Sequence, residues 1–388
     1  MKILIAPDSF KGSLSSPEVA AAMAAGTRAV LPEAEPVELP VGDGGEGTLA
    51  ALVAATGAQM MARRVTGPLG EPVEARWALL DDGRTAFVEM AQASGLSRVP
   101  SRKPSGRDVR RATTRGTGEL MAAALEIGAR RLLVGIGGSA TNDGGAGALT
   151  ALGARFLDKD ERDLPPGGEA LLRLQRIDLS GMRLPADLEV VVACDVTNPL
   201  CGPEGASAIY GPQKGATPDD VALLDAALMH SADVAALTLG RDLRSTPGAG
   251  AAGGLGFALV AFLQARLERG IDLVLDAIRF DDHLADARLV ISGEGRIDHQ
   301  TLPFYKTLAG VARRCRHAGV PLLAVVGGIL GEVGDYLSAG ILGMMPIVPR
   351  PMSLEEAMRD AAALTTDATR RALELYMAGA AWASRHGD

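Results

Sequence analysis

The sequence predicts an α/β protein made of two α/β domains with mainly parallel sheets, one of them formed discontinuously from the N- and C-terminal segments. Three observations carry this expectation. Short runs rich in Val, Ile and Leu are continuous rather than alternating, the pattern of strands covered on both faces. Helical patterns lie between these runs, and that alternation builds parallel sheets. The chain has 388 residues, more than one ordinary domain needs.

In chain order, "KILIAP" (2–7) reads as the first strand. "SPEVAAAMAAGTRAVL" (16–31) reads as a helix, with Ser16 as N-cap, Pro17 in the first turn and Glu18 near the positive end of the dipole. "PVELP" is a short strand, and "VEARWALLDDGRTAFVEMA" (73–91) is a hairpin of two alternating strands around "DDGR". "GELMAAALEIGAR" (118–130) and "GGLGFALVAFLQARLE" (253–268) carry helical spacing, and "TPDDVALLDAALMHSADVAALTLG" (217–240) starts on the cap-like Thr217 and Pro218. Further strands are expected at "RLLVGIGG" (131–138), "LEVVVACD" (188–195), "ARLVISGE" (287–294) and "PLLAVVGG" (321–328). The segment 353–379 reads as one long amphipathic helix. The hairpin does not fit a simple doubly wound sheet. Residues 1–65 plus 285–388 are therefore expected to form a Rossmann-like domain, and 66–284 an inserted second domain with a mixed sheet.

Composition excludes several classes. The formal charge is -8, so nothing suggests a nucleic-acid or anionic-membrane partner. Arg107, Arg110, Arg111 and Arg115 form one local cationic cluster, either a solvated helix start or an anion contact. Three cysteines without a CxxC spacing, and five histidines without HxxxH, point to a reducing compartment and away from disulfides and transition metals. The N-terminal apolar stretch is too short for a signal peptide. The uncharged stretch 246–265 reads as a glycine loop feeding a buried helix rather than a membrane span. The expectation is a soluble cytoplasmic protein, and a homodimer is compatible with it.

One local pattern recurs. An apolar run ends, an acidic or small polar residue follows, then glycine. Asp8, with Ser9 and Lys11, follows "ILIAP"; Asp43 precedes "GGEG"; Ser139 and Asp143 follow "LLVGIGG"; Asp195 ends "VVVAC"; Glu294, with Asp298 beyond it, ends "LVISG". Ligands of parallel α/β sheets bind outside the carboxyl ends of strands. Carboxylates, a lysine and glycine loops at such places suit phosphoryl transfer, which needs donors for phosphate, oxygens for Mg²⁺ and an acceptor for the hydroxyl proton. No G-x-x-x-x-G-K-[ST] and no G-x-S-x-G occurs. G-x-G-x-x-G occurs at Gly42/Gly44/Gly47 and Gly248/Gly250/Gly253, each in poor context for a dinucleotide. A dinucleotide-dependent oxidoreductase stays open on these glycines.

The blocks "IAPDSFKGSLSSPEVA", "GDGGEGTLAAL", "GIGGSATNDGGAGAL", "CDVTNPLCGPEGASAIYGPQKGA", "PGAGAAGGLGFAL" and "SGEGRIDHQTL" occur in this order between residues 2 and about 312. Together they resemble the bacterial type I glycerate kinase family. The resemblance implies ATP- and Mg²⁺-dependent phosphorylation of glycerate, most naturally D-glycerate at the 2-hydroxyl, with the active site in a cleft between two α/β domains. Under it, Asp43 and Asp195 are candidates for proton acceptance or Mg²⁺ binding, and Glu294 and Asp298 form a second acidic pair. Lys11 meets the substrate carboxylate or a phosphate. Asp8, Ser9, Gly137, Gly138, Ser139, Asp143 and Gly250 serve substrate or phosphate, while Asn198, Gln213 and Lys214 orient them. One stretch departs from the family. In "LPFYKTLAGVA" (302–312), Tyr305 stands where glycine is expected before Lys306, and Leu308 where proline is expected. A family member that binds ligand without catalysis is the further open reading.

Overall fold

The apolar runs at the two ends of the chain pair into one sheet. The computed structural model describes residues 1–99, 106–297, 307–330 and 333–386. The strands in chain order are β1 Lys2–Ile5, β2 Glu35–Glu38, β3 Gln59–Thr66, β4 Pro72–Leu79, β5 Thr85–Glu89, β6 Arg131–Gly135, β7 Arg155–Leu157, β8 Arg176–Asp178, β9 Glu189–Ala193, β10 Arg266–Glu268, β11 Leu289–Ser292, β12 Leu322–Val326 and β13 Ile341–Pro346. The chain divides into two compact units, one of residues 1–43, 50–57 and 271–388, the other of 44–49 and 58–270.

The first unit holds a five-stranded, all-parallel sheet in the order β13-β12-β11-β1-β2. Ile3 and Ile5 of β1, Leu289 and Ile291 of β11, and Leu323 and Val325 of β12 pack with Val19, Ala20 and Met23 of the helix Ser16–Val30. Burying each of the Ile, Leu, Val and Met side chains contributes about 1.5–3 kcal/mol. The helix begins one residue earlier than the sequence suggests. Ser15, not Ser16, is the N-cap, because the Glu18 carboxylate reaches back to the Ser15 N–H (2.8 Å) and hydroxyl (2.7 Å). That capping box puts Pro17 at the second helical position. The expected long C-terminal helix is two, Leu354–Arg359 and Ala361–His386, with Asp360 between them. A second capping box, Ser353 with Glu356, starts the first of these.

The second unit holds a six-stranded mixed sheet in the order β10-β9-β6-β5-β4-β3. β10, β9, β6 and β5 run parallel, and β4 and β3 return antiparallel. The expected hairpin is β4–β5, and Asp82 ties its turn through the backbone N–H groups of Arg84 (2.9 Å) and Thr85 (2.7 Å). β3 carries no apolar alternation, since most of "QMMARRVT" faces solvent, so the sequence pattern misses it. A small antiparallel pair, β7 and β8, completes the unit. Its core is assembled mainly from alanine, leucine and valine around Trp77 and Met90. Pro218–Leu239 is a described helix with the length and composition to cross a membrane; its Leu224, Ala227, Leu228 and Ala235 are buried in this unit.

The glycines in the first turn of the helix Ala251–Leu263, where Ala252, Gly253 and Gly254 leave helical geometry, are a packing device. Gly253 has φ +66°, and a Cβ there would sit 2.0 Å from the carbonyl oxygen of Thr141. Left-handed backbone and a backbone clash add up. Gly253→Ala is expected to destabilise the protein by about 2–5 kcal/mol, read as a lower urea midpoint for the second unit.

Candidate active site

In the first unit, the site begins where β1 ends. The Asp8 N–H donates to the Gly293 carbonyl (2.9 Å), which places Asp8 beside the loop after β11. One Asp8 oxygen accepts from the Ser9 N–H (2.6 Å), the other from the Thr307 hydroxyl (2.6 Å) at the start of the helix Thr307–Ala318. Burial, and then the neighbouring charge of Asp43, push the Asp8 carboxyl up to about 6, against the two hydrogen bonds and Lys11. Two carboxylates that resist joint ionisation are the arrangement expected of a proton-accepting pair. Lys11 is exposed on the loop after β1. Glu294 is buried at the end of β11, and its carbonyl accepts from Gly327 N–H. Asp298 and the departing segment through Lys306 lie outside the described residues. Thr307, just after that segment, was not singled out by the sequence, since nothing in its local pattern marks it.

In the second unit, two glycine loops meet at the carboxyl ends of β5, β6 and β9. The Gly137 N–H donates to the Gly44 carbonyl (3.3 Å), and a Cβ on Gly137 would lie 2.6 Å from Gly45 Cα. The bare backbone at 135–137 therefore lets one loop lie against the other. Gly138 is exposed and Ser139 half-buried, so they form the accessible tip of the second loop. Asp143 is not at that tip. It is 1% exposed, and its carboxylate accepts from Thr114 N–H (2.8 Å), Thr114 hydroxyl (3.0 Å), Gly145 N–H and Gly147 N–H (3.2 Å each). Complete burial pushes its carboxyl up, while these donors oppose the shift. The anion held by the amides at the start of the helix Ala146–Ala151 is thus the chain's own side chain.

Lys214 lies beneath the same loop, 1% exposed, donating to the Ser139 hydroxyl (2.8 Å) and the Thr141 carbonyl (2.7 Å). Burial pushes its ammonium down to about 7, with Asp143 acting the other way. Asp195 is exposed beyond β9 and accepts from Gly270 N–H (2.9 Å). Asn198 accepts from the Tyr210 hydroxyl (2.6 Å) and donates to the Glu204 carbonyl (2.9 Å), and Gln213 is exposed. Gly250 is buried with its N–H on the Asn198 carbonyl (2.9 Å), and a Cβ there would meet the Pro199 carbonyl at 2.2 Å. Its backbone is committed to packing. In the cationic cluster, Arg110 pairs with Asp220 and Arg115 with Glu119. The thiols do not resemble nucleophiles, because burial pushes Cys201 and Cys315 up to about 12.

Glu89, fully buried at the end of β5, also escaped the sequence reading. It ends the apolar run "TAFVE" as the other candidates end theirs, but Met90 and not glycine follows it.

Among the described residues, no group of three or more His, Cys, Asp or Glu side chains could hold a metal ion. A nucleotide-bound Mg²⁺ asks for less, since phosphate oxygens and waters fill most of its octahedron and one or two carboxylates suffice. The exposed Asp195 carboxylate fits that demand.

The chain is similar to known proteins along nearly its whole length. The profile of the Glycerate kinase family matches residues 3–377. Glycerate kinase of Bacillus subtilis (strain 168) is 52% identical over 364 residues, 93% of this chain and 94% of that protein. Glycerate 2-kinase of Escherichia coli (strain K12) is 48% identical over 363 residues, again 93% and 94%. A crystal structure assigned as glycerate kinase 2 from Salmonella typhimurium LT2 superposes with a TM-score of 0.87 at 45% identity, covering 98% of this chain and 99% of that one. Sequence, fold and extent agree, and the chain belongs to the glycerate kinase family.

Proposed function

We propose that this protein transfers the γ-phosphoryl group of ATP to the 2-hydroxyl of D-glycerate, releasing 2-phosphoglycerate and ADP. Beyond family membership, the observation that carries the reading is the pair of Asp8, after β1, and Asp43, after β2: burial first, and then the charge of Asp43, raise Asp8 to about 6. Phosphoryl transfer asks the protein mainly for positioning and electrostatics, plus an acceptor for the hydroxyl proton. Asp43 takes that proton. Asp8 stands beside it and adds a second negative charge where the proton is released. Ser9 and Thr307 fix Asp8 in place through its two oxygens. Lys11, exposed on the same loop, meets the glycerate carboxylate or a phosphate.

In the second unit, Gly137, Gly138 and Ser139 present the loop tip to phosphate oxygens. Lys214 and Asp143 act through that loop, since both are buried beneath it. Gln213 and Asn198 orient substrate, and Gly250 supports the backbone that carries Asn198. Asp195 is the residue that would hold Mg²⁺, with Glu294 and Asp298 as further acidic candidates. When bound, Mg²⁺ neutralises phosphate charge and lowers the barrier to attack.

The test is ADP release coupled to NADH oxidation, with ATP, Mg²⁺ and D-glycerate. Turnover that needs all three, stops on adding EDTA in excess over the metal and returns with added Mg²⁺ is the expected result. Glycerate-independent ADP release, or none from folded protein, would contradict it.

A further inference from the structure

The Gly44–Gly47 turn owes its position to a carboxylate 42 residues beyond Gly47 in sequence. Glu89 is 0% exposed, and one of its oxygens accepts from Leu49 N–H (2.8 Å) and the other from Gly47 N–H (3.2 Å). The Gln92 side-chain amide donates to the same oxygen as Gly47, at 3.3 Å. The helix Thr48–Thr56 has no acidic residue in its own first turn, so Glu89 supplies the negative charge at that terminus from a neighbouring strand. Thr48 adds a second anchor, its hydroxyl accepting from Gly44 N–H (3.0 Å). Gly44 (φ +83°) and Gly47 (φ +96°) sit in left-handed backbone that this bonding holds in one form. The Gly44 carbonyl in turn receives the Gly137 N–H.

A buried carboxylate is costly unless its partners repay it. Here burial pushes Glu89 up, and the amides of Leu49 and Gly47 oppose that shift. The charge lies at the meeting point of the two glycine loops, one of which begins directly after Asp43 in the chain.

We propose that Glu89 is a positioning residue of the kinase: it locks the Gly44–Leu49 turn against the Gly135–Gly137 turn and so fixes the backbone from which Asp43 departs. This rests on the proposed function above. Glu89 touches no reacting atom; it acts through the loop. Misplacing a catalytic group by about 1 Å can cost about 100-fold in rate, so the effect falls on kcat.

Glu89→Gln is the first variant. It keeps the shape but turns an amide N–H toward a backbone N–H. Expected are a fall in kcat of about 10- to 100-fold, KM for ATP within about threefold of wild type, and faster hydrogen exchange in the peptide covering 44–52. A purely stabilising role would lower the melting temperature and leave kcat of the folded protein unchanged. Thr48→Val, which removes the second anchor without changing shape, is expected to lower kcat in the same direction and serves if Glu89→Gln does not fold. Wild-type kcat with wild-type exchange in either folded variant overturns the proposal. Wild-type protein in the same assay separates the two failures. Absence of wild-type turnover defeats the kinase reading, and amide exchange in Glu89→Gln still decides whether the anchor holds the turn. Normal wild-type turnover with unaltered variants defeats the positioning role alone.

Discussion

Replacing Asp43 by asparagine is expected to lower kcat for glycerate phosphorylation by about 10²- to 10⁴-fold, the span that general-base catalysis contributes. KM for ATP should change little, because the lost interaction is with a proton in motion rather than with bound nucleotide. Asparagine keeps the volume and one acceptor oxygen, so the protein should stay folded. The substitution also removes the charge that opposes ionisation of Asp8. Asp8 should then titrate below its present value of about 6, visible as a midpoint at lower pH in a carbon-detected titration of the side-chain carboxyl. A kcat within about threefold of wild type would remove Asp43 from the chemistry.

Asp8→Asn should lower activity and raise stability together. Asparagine can still accept from Ser9 N–H and donate to the Thr307 hydroxyl, which preserves the local geometry. It removes the negative charge beside Asp43, so kcat at pH 7.5 should fall by about 10- to 100-fold. The acid limb of the wild-type rate profile, expected near pH 6 because Asp8 is raised to about 6, should move to lower pH. These limbs belong to the coupled pair rather than to one residue.

The stability change has the opposite sign. In the unfolded chain Asp8 releases its proton near its ordinary 3.8, and in the folded protein near about 6. Between those values the folded state binds more protons, so wild-type stability declines as pH rises through the window. Above about pH 6 the cost is fully present, and below about pH 4 it is absent. Asp8→Asn should therefore be more stable than wild type by about 1–3 kcal/mol at pH 7.5. The advantage should vanish near pH 4, measured by urea unfolding at both values. A site that stores instability for function predicts this trade. Equal or lower stability of the variant at pH 7.5 would show that Asp8 is not strained by its surroundings.

Much of the fold could be read from sequence where the physics is local. β1, β6, β9, β11 and β12 are buried on both faces and read as continuous apolar runs. The β4–β5 hairpin was visible because its turn needs Asp82 and glycine. β3 was not visible, since an exposed edge strand carries no core pattern. The candidate site was legible in kind but not in detail. Strand ends followed by acidic residues point to Asp8, Asp43 and Asp195 as candidates. Sequence could not tell a carboxylate turned toward ligand from one turned inward. Asp143 and Gly250 looked like ligand residues and are committed to the chain's own backbone. Glu89 ends an apolar run without a glycine after it, and its partners, Gly47 and Leu49, come from a distant loop. Lys214 could be placed beneath Ser139 only by folding the chain.

The measurement that bears most directly on the central claim is proton-coupled phosphorus NMR of the product formed from ATP, Mg²⁺ and D-glycerate. Phosphate on the secondary carbon couples to one proton and phosphate on the primary carbon to two. A new phosphomonoester doublet, growing as ADP accumulates, is the predicted result and identifies 2-phosphoglycerate. A triplet would place the transfer on the 3-hydroxyl. No new phosphomonoester from folded, ATP-binding protein would contradict the assignment of glycerate as the acceptor.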